Sequence, residues 1–160
     1  MTNLTKIVLL LVVFSCTPVE NTEQSVAFDA EKVRLEVSQM LHDYHEAMRA
    51  GGLEAEFEYL DQSSDFFWIP PGYEQVLSYD SVATILRQND LALQSIVLEW
   101  DSLNVNPIND TLAQYYGTLY STTVDTAGTS HRSLLIESGL IIKRSDGWKL
   151  LNGQSAYFPK

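Results

Sequence analysis

Two carboxylates in this chain sit where they could act on another molecule. Asp65 opens the aromatic run Asp65-Phe66-Phe67-Trp68-Ile69, and Glu137 lies inside the long β-rich run Ser130–Arg144. Either could serve as a general base, with a Tyr hydroxyl as the electrophilic partner, if both faced one cavity. The histidines offer less. His42 and His45 are spaced i, i+3 with Asp43 and Glu46 beside them, a pattern that could hold a metal, but a polar helix face predicts exposure to water. His131 has no matched carboxylate. No serine sits in a nucleophile elbow, and no glycine loop is built to cradle phosphate. Neither a metal nor a cofactor is expected.

The elements that must position these residues follow from periodicity. From Phe28 the apolar residues Val33, Val37, Met40, Leu41, Tyr44 and Met48 recur at helical spacing until Gly51-Gly52. A short second helix is predicted over Glu54–Leu60, then the strand Phe66–Ile69 stopped by Pro70-Pro71-Gly72. Tyr73–Tyr79 could hold another short strand. Asp80 is the predicted N-cap of a third helix, Ser81–Asn89, with Val82, Ile85 and Leu86 as its apolar face. Beyond Asp90 the period becomes two, giving four long strands: Ser95–Val105, Thr111–Val124, Ser130–Arg144 and Trp148–Phe158. Their connections, Asn106–Asp110, Asp125–Gly128 and Ser145-Asp146-Gly147, are rich in turn residues. Helices first and a strand meander afterwards predict an α+β fold, helices packed on one face of a curved antiparallel sheet.

The last hairpin fixes the expected register. A three-residue turn with Gly147 at positive φ pairs Arg144 with Trp148, Ile142 with Leu150, Leu140 with Asn152, Ser138 with Gln154 and Ile136 with Ala156. Glu137, Lys143 and Lys149 then share the outer face with Gly139, Ile141 and Leu151. A two-residue turn would flip one strand relative to the other. An outer face bearing Leu151, Ile141 and Tyr120 beside the charges is a candidate homodimer surface.

Composition limits the partners. The 160 residues hold 10 Lys and Arg against 21 Asp and Glu, a net charge of −11. Such a balance argues against nucleic acid and against electrostatic adhesion to anionic lipid. Lys6, the apolar run Ile7–Phe14 and Ser15-Cys16 have the layout of a secretory leader. Val13-Phe14-Ser15-Cys16 resembles the bacterial lipobox, which implies removal of residues 1–15 and a lipid on Cys16, the sole cysteine. Residues 16–25 then read as a flexible tether and residues 26–160 as one domain, held at a bacterial cell envelope.

The order helix, helix, short strand, helix, four strands resembles the nuclear transport factor 2-like superfamily, whose members include ketosteroid isomerase, scytalone dehydratase and the SnoaL-like polyketide cyclases. Three stretches carry the likeness over Val26–Phe158: Asp65–Gly72, Ser138–Arg144 running through Asp146–Leu151, and Asn152-Gly153-Gln154-Ser155. The resemblance implies a cone, the sheet wrapped around the N-terminal helices with a pocket between them. Where many relatives carry His near the end, this chain has Asn152 and Gln154, amides that cannot exchange a proton near neutral pH.

With the hairpin register extended across Asp125–Gly128, the expected pocket lining is Tyr44, Trp68, Trp100, Tyr115, Ser138, Leu140, Asn152 and Gln154. This aromatic, neutral set points first to binding of a small apolar molecule without chemistry. A second reading is an isomerase, cyclase, dehydratase or hydrolase using Asp65 or Glu137 as base. A third is a protein-interaction module whose cone is filled.

Overall fold

The computed structural model describes residues 28–158. The expected leader, Cys16 and the whole tether lie outside the described residues. Helix α1 spans Ala30–Gly51, capped by Asp29, whose carboxylate accepts from the Lys32 amide at 3.0 Å. Its apolar stripe is buried as the spacing predicts. His45 is buried with it rather than turned to water, and stacks on the Trp100 ring at 4.8 Å between centroids. Burial pushes its imidazole down to about 4, with His42 and Arg49 adding to the effect.

Gly52, at φ 77°, turns the chain into a 3₁₀ segment, Leu53–Glu58. Strand β1 is short, Phe67–Ile69. Tyr73–Tyr79 forms no strand; only Leu77 makes an isolated bridge, to Trp68. Helix α2 spans Tyr79–Asp90, and its cap is Ser78 rather than Asp80. The long strands are β2 (Leu93–Pro107), β3 (Leu112–Asp125), β4 (Ser130–Arg144) and β5 (Gly147–Tyr157). They pair antiparallel in sequence order, and β1 joins β5 in parallel, giving the order β1-β5-β4-β3-β2. With the helices over one face, the α+β class expected from the pattern is the observed one. Among the described residues, no helix is long and apolar enough to cross a membrane.

Two bulges decide which residues face the helices. In β2 the register shifts between Trp100 and Ser102, so Ile96, Leu98 and Trp100 point inward and, after the extra Asp101, so do Leu103 and Val105. In β5 the shift falls between Leu150 and Asn152, and Leu151 is the extra residue. A bulge bends and twists its strand, which is how a sheet curls over helices. The second bulge also corrects the expected hairpin. Near the turn Arg144 pairs with Gly147, Lys143 with Trp148 and Ile141 with Leu150, a two-residue connection. Past Leu151 the predicted pairs return: Leu140 with Asn152, Ser138 with Gln154 and Ile136 with Ala156.

The face assignment is reversed. On β4 the inward residues are Leu135, Glu137, Gly139 and Ile141, the last fully buried at 0 % exposure. Ser138 and Leu140 therefore point outward, as do their partners Gln154 and Asn152. Ile141 is thereby removed from the outer face offered as a dimer surface; there Tyr116 and Ile136 are half exposed, at 50 % and 48 %.

Two ties hold the hairpin tip to the remaining layers. Asp61, buried, accepts two hydrogen bonds from the Arg144 guanidinium, both 2.9 Å. Glu36 on α1 accepts from Trp148 Nε1 at 2.9 Å and from Lys143 Nζ at 2.7 Å.

Candidate functional site

The inner row of the sheet carries one carboxylate. Glu137 is buried, at 8 % exposure, on the central strand β4. Across β3 the Tyr115 hydroxyl donates to its Oε1 at 2.8 Å, and across β5 the Ser155 hydroxyl donates to its Oε2 at 2.8 Å. The register explains the trio. Glu137 pairs directly with Ser155, while Tyr115 pairs with Gly139, two residues along β4. Glycine at 139 is what lets the phenol ring lie across β4 and reach Glu137. A Cβ there would stand 3.0 Å from the ring and 2.3 Å from the Asn152 carbonyl oxygen. Gly153 does the same for Trp68, whose ring a Cβ would meet at 2.6 Å.

A second carboxyl faces this row. Glu56, on the 3₁₀ segment, lies beside the Tyr44 hydroxyl of α1 and within the field of Glu137. Its placement depends on Asp90 at the end of α2, whose carboxylate accepts from the Leu53 amide at 2.7 Å and so holds the start of the segment. Gly52 makes that contact possible, since a Cβ at 52 would sit 2.5 Å from Asp90 Oδ1.

Electrostatics set this pair apart. Burial pushes Glu56 up to about 7; the neighbouring Tyr44 hydroxyl opposes the rise and the Glu137 charge adds to it. Burial also raises Glu137 above the ordinary carboxyl range, against the lowering effect of the Ser155 and Tyr115 hydrogen bonds. The phenols of Tyr44 and Tyr115, desolvated and close to the carboxyls, stay protonated far past neutrality. Two coupled acids and two phenols thus share one low-dielectric space.

That space is a cavity of about 680 Å³ between the inner sheet face, the 3₁₀ segment and α2. Glu56, Glu137, Ser155, Tyr44 and Trp68 line it, facing the apolar side chains Val82, Ile85 and Leu86 of α2. Toward its mouth the sheet turns polar, with Ser121 opposite Ser133 and Thr123 opposite His131. A hollow of about 1160 Å³ also lies outside the cone, along α1 and the β4–β5 tip. It is the larger of the two, but of its carboxylates Asp61, Glu36 and Asp146 are matched by Arg144, Lys143 and Lys149, and Asp43 and Glu58 are exposed to water. The inner cavity, whose acids have hydroxyl partners only, is the better candidate site.

Of the residues expected to line the pocket, Tyr44 and Trp68 do so. Tyr115 lies beneath the surface and reaches the cavity only through Glu137, and Trp100 sits behind it, edge-on at 6.1 Å. Ser138 and Gln154 line a shallow groove on the opposite face of the sheet, with Leu140 and Asn152 on that same face. Asp65 is exposed in the loop before β1 and takes no part in the cavity. Glu137, the other carboxylate candidate, is inside it. Sequence reasoning missed Ser155 and Glu56. Ser155 follows from the register once Glu137 is turned inward; nothing in Leu53-Glu54-Ala55-Glu56-Phe57-Glu58 distinguishes Glu56 from its acidic neighbours.

Comparison with known proteins places this architecture. The family described as SnoaL-like domain matches residues 37–159. Among solved structures, a candidate aromatic ring hydroxylase from Novosphingobium aromaticivorans superposes with a TM-score of 0.70 at 10% identity, over 82% of this chain and 93% of that one. A candidate dehydratase of the NTF2-like family from Streptomyces avermitilis gives 0.66 at 17% identity, over 81% and 99%. A nuclear transport factor 2 superfamily protein from Salmonella enterica gives 0.64 at 15% identity, over 81% and 94%. At such identities the likeness establishes the fold. No curated protein sequence matches the chain.

The raised Glu56 value fixes a stability trend. An acid whose folded pKa lies above its unfolded one holds its proton more tightly when folded. Its contribution is complete below about pH 4.5 and is lost as pH rises through about 7. Glu56→Gln should therefore lessen the decline in urea stability between pH 5 and pH 8 and exceed the parent at the upper end. A variant whose pH profile parallels the parent would show that Glu56 is not desolvated.

Proposed function

The chain belongs to the SnoaL-like family, and from that premise we propose that its inner cavity takes up a small, largely apolar molecule from which Glu137 removes a proton. The observation that carries this reading is the Glu137 carboxyl itself, facing the cavity with both oxygens oriented by Tyr115 and Ser155. A base needs a fixed direction, a pKa lifted toward neutrality and surroundings that exclude water, and these two donors and the apolar walls supply all three. Proton transfer to Glu137 neutralises its carboxylate and moves the negative charge onto the substrate, and the raised affinity of the buried carboxyl for a proton favours the transfer.

Binding without chemistry has lost its supporting residues. It rested on Ser138, Asn152 and Gln154 as the polar groups of the pocket, and these face the other side of the sheet. A filled cone fits poorly with a cavity of about 680 Å³. The Streptomyces avermitilis protein is named as a candidate dehydratase; proton removal is the chemistry such a reaction begins with, which is consistent with a base at Glu137.

We further propose that the mature chain is tethered to a bacterial envelope membrane through a lipid on Cys16. What supports this is the order Lys6, Ile7–Phe14, Ser15-Cys16 followed by a polar stretch.

Base action can be measured without knowing the natural substrate. A panel of ring ketones, neutral and amine-bearing, in deuterated buffer should exchange their α-hydrogens faster with protein than without, by about a hundredfold or more for those that bind. Glu137→Gln should return exchange to the buffer rate. Ketones that bind yet exchange no faster than in buffer would reduce the cavity to a binding site. For the anchor, fatty-acid labelling in a bacterial host should mark the parent and spare Cys16→Ala; a label that persists in the variant would end the assignment.

A further inference from the structure

We infer that the molecule held in the inner cavity is an organic ammonium: a protonated amine whose N–H groups are donated to Glu56 within the field of Glu137, with an apolar body laid against Trp68 and the α2 side chains. The inference rests on the cavity being the ligand site and goes beyond that reading in naming the ligand's charge.

Elsewhere this chain gives the acids it shields from water a cation of its own. Asp61 is buried and has the Arg144 guanidinium at 2.9 Å. Glu36, only half-buried under the hairpin tip, has Lys143 at 2.7 Å. Glu137 is as enclosed as Asp61, yet its partners are two hydroxyls. Glu56 shares its space with the Tyr44 hydroxyl. Among the described residues that line the cavity there is neither Lys nor Arg. His131 stands at the mouth, 3.7 Å from Asp125 Oδ2 and therefore turned toward another acid.

An enclosed carboxylate without a counter-charge is costly, and proteins offset the cost with a cation or a proton. The protein supplies no cation here. In its absence the pair retains a proton, consistent with the upward displacement of both carboxyls. An ammonium group would take that proton's place at Glu56, within the field of Glu137, and complete the charge balance that Asp61 and Glu36 obtain from the chain itself. The remaining surface suits such a guest. Tyr44, Trp68, Tyr73 and Tyr157 bring aromatic rings to the same cavity, and aromatic faces attract desolvated cations. Val82, Ile85 and Leu86 accept an apolar body. An anionic ligand would add a negative charge with nothing to meet it. A neutral one would leave the acids as they are.

Three ligands of one shape test this by isothermal titration calorimetry on the mature chain: 2-naphthylmethylammonium, 2-naphthylmethanol and 2-naphthoate, near neutral pH. The ammonium should bind at least about tenfold tighter than the alcohol, with the carboxylate weakest. Its binding should release a proton, read from the dependence of the heat on the buffer's ionisation enthalpy. In Glu56→Gln and in Glu137→Gln the ammonium's advantage over the alcohol should fall to about threefold or less. Should Glu137→Gln not fold, Glu56→Gln decides the matter alone. Alcohol binding as tight as the ammonium's, or an ammonium advantage that survives the substitutions, would overturn the inference while leaving the cavity as the ligand site. Failure of all three ligands to bind would remove the ligand site and the inference together.

Discussion

The structure depends on one constraint: a carboxyl group has to be kept on the inner face of the central strand β4. Glu137 occupies that place because two neighbouring strands each contribute a hydroxyl at hydrogen-bonding distance, Tyr115 from β3 and Ser155 from β5. Neither donor would be in position by regular pairing alone. The bulge at Leu151 changes the parity of β5 so that Ser155 follows Gly153 on the inner side. Glycine at 139 clears the space through which the Tyr115 ring crosses β4. The features that bend the sheet are thus the same ones that satisfy its buried acid.

The helical layer is tied to the sheet by charged contacts at its rim and left open at its centre. Glu36 joins α1 to the hairpin tip through Trp148 and Lys143, and Asp61 joins the loop before β1 to Arg144. Asp90 holds the 3₁₀ segment at Leu53 and so presents Glu56 to Glu137. Bidentate and partly buried pairs of this kind fix geometry more than they add stability. Their effect is to keep a wall of apolar helix side chains apart from a sheet face that is polar in its middle and toward its mouth. A cavity rather than a collapsed core is the outcome, and its two acids are left with proton donors only.

Much of the fold could be read from the residues. The first helix followed from Val33, Val37, Met40, Leu41, Tyr44 and Met48, and the far half of the last hairpin paired as expected, although the bulge at Leu151 and not the turn restores that register. The site could not be read in the same way, and β4 shows why. Its outward set, Leu134, Ile136, Ser138, Leu140 and Ile142, is more apolar than its inward set, Leu135, Glu137, Gly139 and Ile141. Patterning favours the first set as the buried one, and the fold buries the second. Local rules tend to fail where a chain holds a functional group against its own preference. Single-residue bulges at Asp101 and Leu151 leave no compositional mark, yet each exchanges the inner and outer residues beyond it. His45 was obscured in a similar way: a titratable side chain among charged neighbours reads as surface, whereas stacking on Trp100 buries it.

The central claim is that Glu137 is an acid of the interior, facing the cavity and coupled to Glu56. Its most direct test is a carbon-13 carboxyl NMR titration of glutamate-labelled protein, with Glu137 assigned through Glu137→Gln. The account predicts a Glu137 resonance that titrates above the ordinary carboxylate range and moves higher still in Tyr115→Phe, where a donor to the charged form is lost. It also predicts that Glu56 titrates lower in Glu137→Gln, because the charge that raises it is gone. A Glu137 that titrates like a surface carboxyl, indifferent to loss of the Tyr115 hydroxyl, would contradict it.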